Sequence, residues 1–230
     1  MARFAPPGPP FVGNRGPNGL FNPFGSKRVS AGGAPVSYAT WNPADKGSTL
    51  TLSNGDLTVS SAVDSDFNMV RATIGKASGK WYWEYTVTNK GSSAQTLMFG
   101  VADATTANIS GTIVFGNNPK QYGMQLDAGS VRVNGGPTND WAGSTPDTVN
   151  GDVWGLAFDM DNGRLYVHKS GTYLNSGDPA AGTGFVGHDF TGTYYPAFGV
   201  FPALCVLTAN FGATAFAHSV PTGYTSGVTA

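Results

Sequence analysis

Asp159, Asp161 and Gly163 stand at the spacing with which calcium loops begin. Such a loop needs oxygen donors at its positions 1, 3, 5 and 12 and a glycine at position 6. Counted from Asp159, position 5 is Gly163, position 6 is Arg164 and position 12 is Ser170, so the pattern fails. It reads better as a hairpin turn, because Asn162-Gly163 readily takes positive φ. His168, His188 and His218 lie in three different segments without the spacing of zinc ligands. Glu84 with Asp152 or Asp159 would supply the paired carboxylates of a glycosidase. However, Glu84 falls on the polar side of an alternating stretch, where a solvated or hydrogen-bonded role is expected. Cys205, the single cysteine, sits in the apolar run Ala203–Leu207 and reads as a small buried hydrophobe that can form no internal disulfide. No Gly-x-Ser-x-Gly, phosphate loop or Cys/His pair is present. The expectation is no enzyme, no cofactor and no metal.

Binding chemistry is better represented. Asn117-Asn118-Pro119, the run Pro137–Trp141 with Asn139, Asp140 and Trp141, and Tyr173-Leu174-Asn175 mix amides or a carboxylate with a single aromatic ring. Such loops can stack on a sugar or peptide and hydrogen-bond its polar groups. The alternative is that Trp141 packs under its own loop and the asparagines only shape turns. A net charge of −1 gives no electrostatic support for a nucleic-acid partner. No apolar run approaches the ~18 residues of a membrane span, and the N-terminus lacks the apolar core of a signal peptide. A soluble protein made in a reducing compartment is expected.

The elements that must position these residues are strands. Trp81, Trp83, Tyr85 and Val87 alternate with Lys80, Tyr82, Glu84 and Thr86, the signature of a strand with one buried face. On this reading Trp83→Ala empties a core site, and Tyr82→Ala on the polar face costs clearly less. Hairpins are written around Asn54-Gly55, between Gln121–Leu126 and Val131–Val133, and around Asp159–Gly163. Further strands are expected over Met69–Ile74, Gln95–Ala102, Tyr194–Val200 and Cys205–Phe211, and no stretch has helical periodicity. The fold class is all-β, an antiparallel two-sheet sandwich over residues 37–230.

Residues 1–36 differ. They hold seven glycines and, counting Pro35, seven of the fifteen prolines. Phe4, Phe11, Phe21 and Phe24 recur singly along the segment. Arg3, Arg15, Lys27 and Arg28 give it +4 with no acid, so the rest of the chain carries −5 of the net −1. Such a segment buries too little by itself to offset its chain entropy. It is either a flexible tail or an extended assembly arm whose aromatics plug into a partner.

The order of motifs resembles a known family. Gly79-Lys80-Trp81-Tyr82-Trp83-Glu84 is similar to the G-K-x-Y-W-E strand of SPRY domains, and Phe99-Gly100-Val101-Ala102 to the strand that follows it there. Gly151–Gly155 with Phe158–Leu165 resembles the family's central hairpin, and Tyr195-Pro196-Ala197 its late strand. Asn210-Phe211-Gly212, Phe216 and Pro221–Tyr224 resemble its terminal motif. The blocks occur in family order over residues 41–224. One departure stands out: after the hairpin come His168-Lys169-Ser170-Gly171 and a long Gly-rich insertion to Phe185, where members usually carry an aromatic and Asn-Gly. The resemblance implies a recognition module, binding through loops at one end of the sheets. With the arm and the low charge, the chain looks most like SPRY-containing structural proteins of phages. The expectation is a multi-copy, homo-oligomeric virion component (decoration, fibre or tail-associated), held to other virion proteins by residues 1–36 and recognising a protein or surface glycan. It would be located in the virion after synthesis in the host cytoplasm. The alternative is a free cytoplasmic SPRY-type module that binds a peptide.

Overall fold

The computed structural model describes residues 35–61, 67–91, 97–105, 110–111, 115, 120–126, 131–133, 147–200 and 204–230. The sandwich is one unit from Val36 to Ala230. Phe4, Phe11, Phe21, Phe24, Asn117, Asn118, Asn139, Asp140 and Trp141 lie outside the described residues.

Two sheets are packed face to face. In the first, β1 (Trp41–Lys46) pairs with β4 (Phe67–Ala72), which pairs with β14 (Tyr194–Val200); β6 (Leu97–Asp103), β8 (Gln121–Leu126) and β9 (Val131–Val133) follow, and the short β7 (Ser110–Gly111) flanks β4. In the second, the order is β12 (Thr172–Tyr173), β11 (Arg164–Lys169), β10 (Val153–Asp159), β5 (Lys80–Asn89), β15 (Val206–Asn210), β3 (Thr58–Ser61) and β2 (Leu50–Ser53). Here β13 (Gly187–His188) pairs with β11, and β16 (Thr225–Ser226) runs parallel to the start of β5. All other pairings are antiparallel, so the described residues form the expected antiparallel sandwich. The only helical turn described is the 3-10 turn Leu174–Ser176.

The aromatic side of β5 faces the first sheet, as the alternation predicts. Trp83, Tyr85 and Val87 are buried there among Trp41, Phe99, Trp154, Phe158, Phe198 and Phe211. Trp41 stacks on Tyr85 at 5.6 Å, and Trp83 meets the edge of Phe158 at 6.2 Å. Aromatic pairs at these separations add favourable quadrupolar contact to burial. Trp81, at the start of the strand, is only half-buried; its indole donates to Ser78 O, and the Lys76 ammonium lies 3.8 Å over its ring. Cys205 is fully buried, and burial pushes its thiol up to about 12.

The polar side of β5 corrects the sequence expectation. Tyr82 is 0% and Glu84 3% exposed, so the strand is buried on both faces. The cause is the segment after β15. It leaves the sheet at Asn210, crosses the outer face of β5, β10 and β11, and returns as β16 beside Trp81 and Tyr82.

Candidate functional site

The outer face of the second sheet is built in rows across β5, β10 and β11. Lys80, Asp159 and Arg164 are register partners, as are Tyr82, Ala157 and Tyr166, and Glu84, Gly155 and His168. The middle strand contributes only small side chains to the last two rows, so those from the outer strands can lean over it and touch. A Cβ on Gly155 would lie 2.0 Å from His168 Nε2, well inside any real contact. Gly155→Ala is therefore expected to push the imidazole out of place and cost about 1–3 kcal/mol, the range for overpacking a filled site. Thermal melts check this. A His168→Ala change made on top should recover part of the loss, and a clash elsewhere would give no such recovery.

Through the space left by Gly155 runs a chain of hydrogen bonds. Gly171 N–H donates to His168 Nδ1 at 3.1 Å, which assigns the ring proton to Nε2. Nε2–H then donates to Tyr82 Oη at 2.8 Å, and Tyr82 O–H donates to Glu84 Oε1 at 2.7 Å. The carboxylate also accepts Ala217 N–H on Oε2 at 2.7 Å and His218 N–H on Oε1 at 2.8 Å. A buried carboxylate is tolerable only when so supplied with donors. Glu84 thus fastens the crossing segment to the sheet. Phe216 meets Tyr82 edge-on at 5.0 Å, and His218 meets His168 at 5.1 Å. Burial, and then the neighbouring His218, lower the His168 pKa to about 4, so the ring is neutral at physiological pH.

The carboxylate pair weighed for hydrolysis is dispersed. Asp152 accepts Lys169 Nζ at 2.8 Å and Val149 N–H at 2.7 Å. Asp159 accepts Lys80 Nζ and both the backbone and the side-chain amide of Asn162, which hold it below the usual carboxylate range despite burial. Asp161 accepts Gly79 N–H at 2.6 Å, so these aspartates serve the hairpin turn, where Gly163 takes φ +60°. Among the described residues no group of three or more His, Cys, Asp or Glu side chains could hold a metal ion. Two histidines that the sequence kept apart do meet, whereas His188 lies 3.0 Å from Asp189 instead. One signal in the sequence could have found the buried chain: the small pair Gly155 and Ala157 in an otherwise bulky strand.

Beside this chain the molecule opens. Tyr173 pairs with His168 in the sheet and sets its ring edge-on to the imidazole at 5.0 Å. From Tyr173 a groove of about 400 Å³ runs between Asp178 and Pro179 on one wall and Val220, Pro221 and Thr222 on the other. Asp178 is exposed at its rim; its Oδ1 accepts the N–H groups of Ala180 and Ala181 and shapes the wall. The Tyr173 hydroxyl is buried without a hydrogen-bond partner in the protein, as is that of Tyr224 nearby. Burial raises both well above the usual tyrosine value, Tyr173 further through Asp178 and Tyr224 further through Asp159, so both remain protonated donors. Asn175 sits one residue past the strand pair at φ +55°, exposed, with its amide donating to Phe185 O at 3.0 Å. A second cleft of about 440 Å³ lies at the end of the sandwich between Asp161 and Asp189.

Neither a family model nor a curated protein matches the chain. Solved structures do. The SPRY domain of human HERC1 superposes with a TM-score of 0.58 at 13% identity, over 74% of this chain and 96% of that one. The PSpry domain of TRIM65 does so with a TM-score of 0.53 at 17% identity, over 75% and 92%. The fold is that of SPRY domains.

Proposed function

We propose that the sandwich is a non-enzymatic binding module whose groove beside Tyr173 holds a short, extended polypeptide segment. The observation that carries this is the pairing, in one open groove, of an aromatic ring and prolines with the hydroxyl donors of Ser219 and Thr222. Apolar walls with a few convergent polar groups are what a recognition site requires, and an extended backbone offers carbonyls to such donors. The resemblance to SPRY domains points to the same class of activity.

The test is selection of peptides from a displayed random library on the full chain. Selected peptides should bind Tyr173→Ala with Val220→Asp at least roughly tenfold more weakly, the effect of losing about 1.4 kcal/mol. Equal binding to the variant would place recognition elsewhere, with the Asn117, Asn139 and Trp141 loops and a glycan ligand as the next reading.

The setting rests on residues 1–36. A Pro/Gly segment with four separated phenylalanines and four positive charges suits an anchoring arm. We infer a multi-copy virion component of phage type as the setting, with a free intracellular module as the other. Particles assembled with the Phe21→Ser, Phe24→Ser chain should lack it if the first setting holds.

A further inference from the structure

We propose that the occupant of the Tyr173 groove is the N-terminal arm of another copy of this chain. This rests on the reading of the groove as a peptide site and names its ligand.

Three features favour the arm. The first is hydrogen-bond type. Pro6, Pro7, Pro9 and Pro10, between Phe4 and Phe11, carry carbonyl acceptors and no N–H. The groove offers donors to such carbonyls: the hydroxyls of Ser219 and Thr222, both exposed residues, line it. The second is shape. A proline-rich run favours the polyproline helix, which is extended at about 3.1 Å per residue and loses little entropy on docking. Phe4 to Phe11 would span about 22 Å in that form, and a ring flanked by prolines (Tyr173, Pro179, Pro221) is the kind of wall such a helix packs on. The third is charge. The arm carries +4 and the remainder of the chain −5, with Asp178 exposed at the groove and Arg3 beside the proline run.

Another copy is taken as the donor because a pattern repeated along the arm lets one arm engage more than one sandwich. Its Phe–Pro pattern occurs twice, at Phe4–Phe11 and again at Phe21-Asn22-Pro23-Phe24. An arm given to a neighbour is a heterologous contact, which closes into rings or extends into filaments. That is how a multi-copy component would propagate.

The experiment is complementation between two full-length variants in sedimentation velocity. The first replaces Phe4, Phe11, Phe21 and Phe24 with serine and keeps the groove. The second carries Tyr173→Ala with Val220→Asp and keeps the arm. Wild-type chain should associate with rising concentration, more strongly at low salt. Each variant alone should remain monomeric, and their mixture should form heterodimers. Asp178→Asn, which keeps the Oδ1 cap and removes the charge, should weaken wild-type association several-fold at low salt and little at high salt. That variant keeps the test open if the groove double variant misfolds. The proposal is overturned if wild type is monomeric throughout, if the groove variant still self-associates, or if the mixture stays monomeric. If library peptides bind the arm variant through Tyr173 while the mixture fails, the peptide-site reading stands and the arm is not its ligand. If no peptide needs Tyr173, the reading itself falls.

Discussion

Replacing Tyr82 with alanine is expected to destabilise the sandwich by about 3–5 kcal/mol, as much as Trp83→Ala on the other side of the strand. Both side chains are at or near complete burial. Tyr82 fills the space between Phe216, His168 and Ala157, and its hydroxyl joins the imidazole to Glu84. Truncation leaves a cavity and two polar groups short of a partner. Tyr82→Phe separates these contributions: the ring stays, and the cost falls to that of an unmet buried hydrogen bond, about 1–3 kcal/mol. Urea titrations of the three variants decide the matter. A loss below about 1 kcal/mol for Tyr82→Ala would mean that residues 211–224 do not cover this face in solution.

Acidification should cost about 3 kcal/mol between pH 6.5 and pH 4 through His168 alone. The unfolded imidazole binds a proton near 6.5, whereas in the fold its pKa is lowered to about 4. Between those values the unfolded state binds more protons, so stability is complete above 6.5, falls with pH through the window and levels off below 4. The physical cause is burial, reinforced by His218 and by the Gly171 N–H that occupies Nδ1, where the added proton would sit. Glu84, Tyr82, Tyr173 and His218 are the titratable groups around the ring. Asp159, whose folded pKa is lowered, contributes in a lower range, lost only as pH falls from its ordinary value near 3.8. Urea midpoints at pH 7, 5.5 and 4 should fall steeply in wild type and much less in His168→Gln. Parallel curves for the two proteins would remove His168 as the source.

The departure from the SPRY pattern after His168 is where the structure builds its groove. Tyr173, Asp178 and Pro179 belong to the inserted segment, and Val220 and Pro221 to the crossing segment opposite. A match of motifs could mark that stretch only as different, since its shape depends on what it packs against. Asp159 and Asp161 illustrate the opposite case. Their role in a turn was legible because it depends on residues within the hairpin and on Gly79 just before β5.

What the sequence determined by itself is most of the strands (β1, β7, β12, β13 and β16 escaped it), the hairpins between them, the inward face of β5 and the burial of Cys205. Each is written in neighbouring residues, as a period of two, an Asn-Gly turn or an apolar run, and hydrophobic patterning acts at that range. Tertiary structure alone decided that Tyr82 and Glu84 are interior, that His168 meets His218 and that Tyr173 borders a groove. Alternation can say that two faces differ, but it cannot say that the polar one is later covered. The cover arrives from Ala217 and His218, 133 and 134 residues along the chain from the Glu84 carboxylate that holds them. A contact at that separation leaves no local period, because the glutamate has to satisfy backbone N–H groups, which every residue but proline carries.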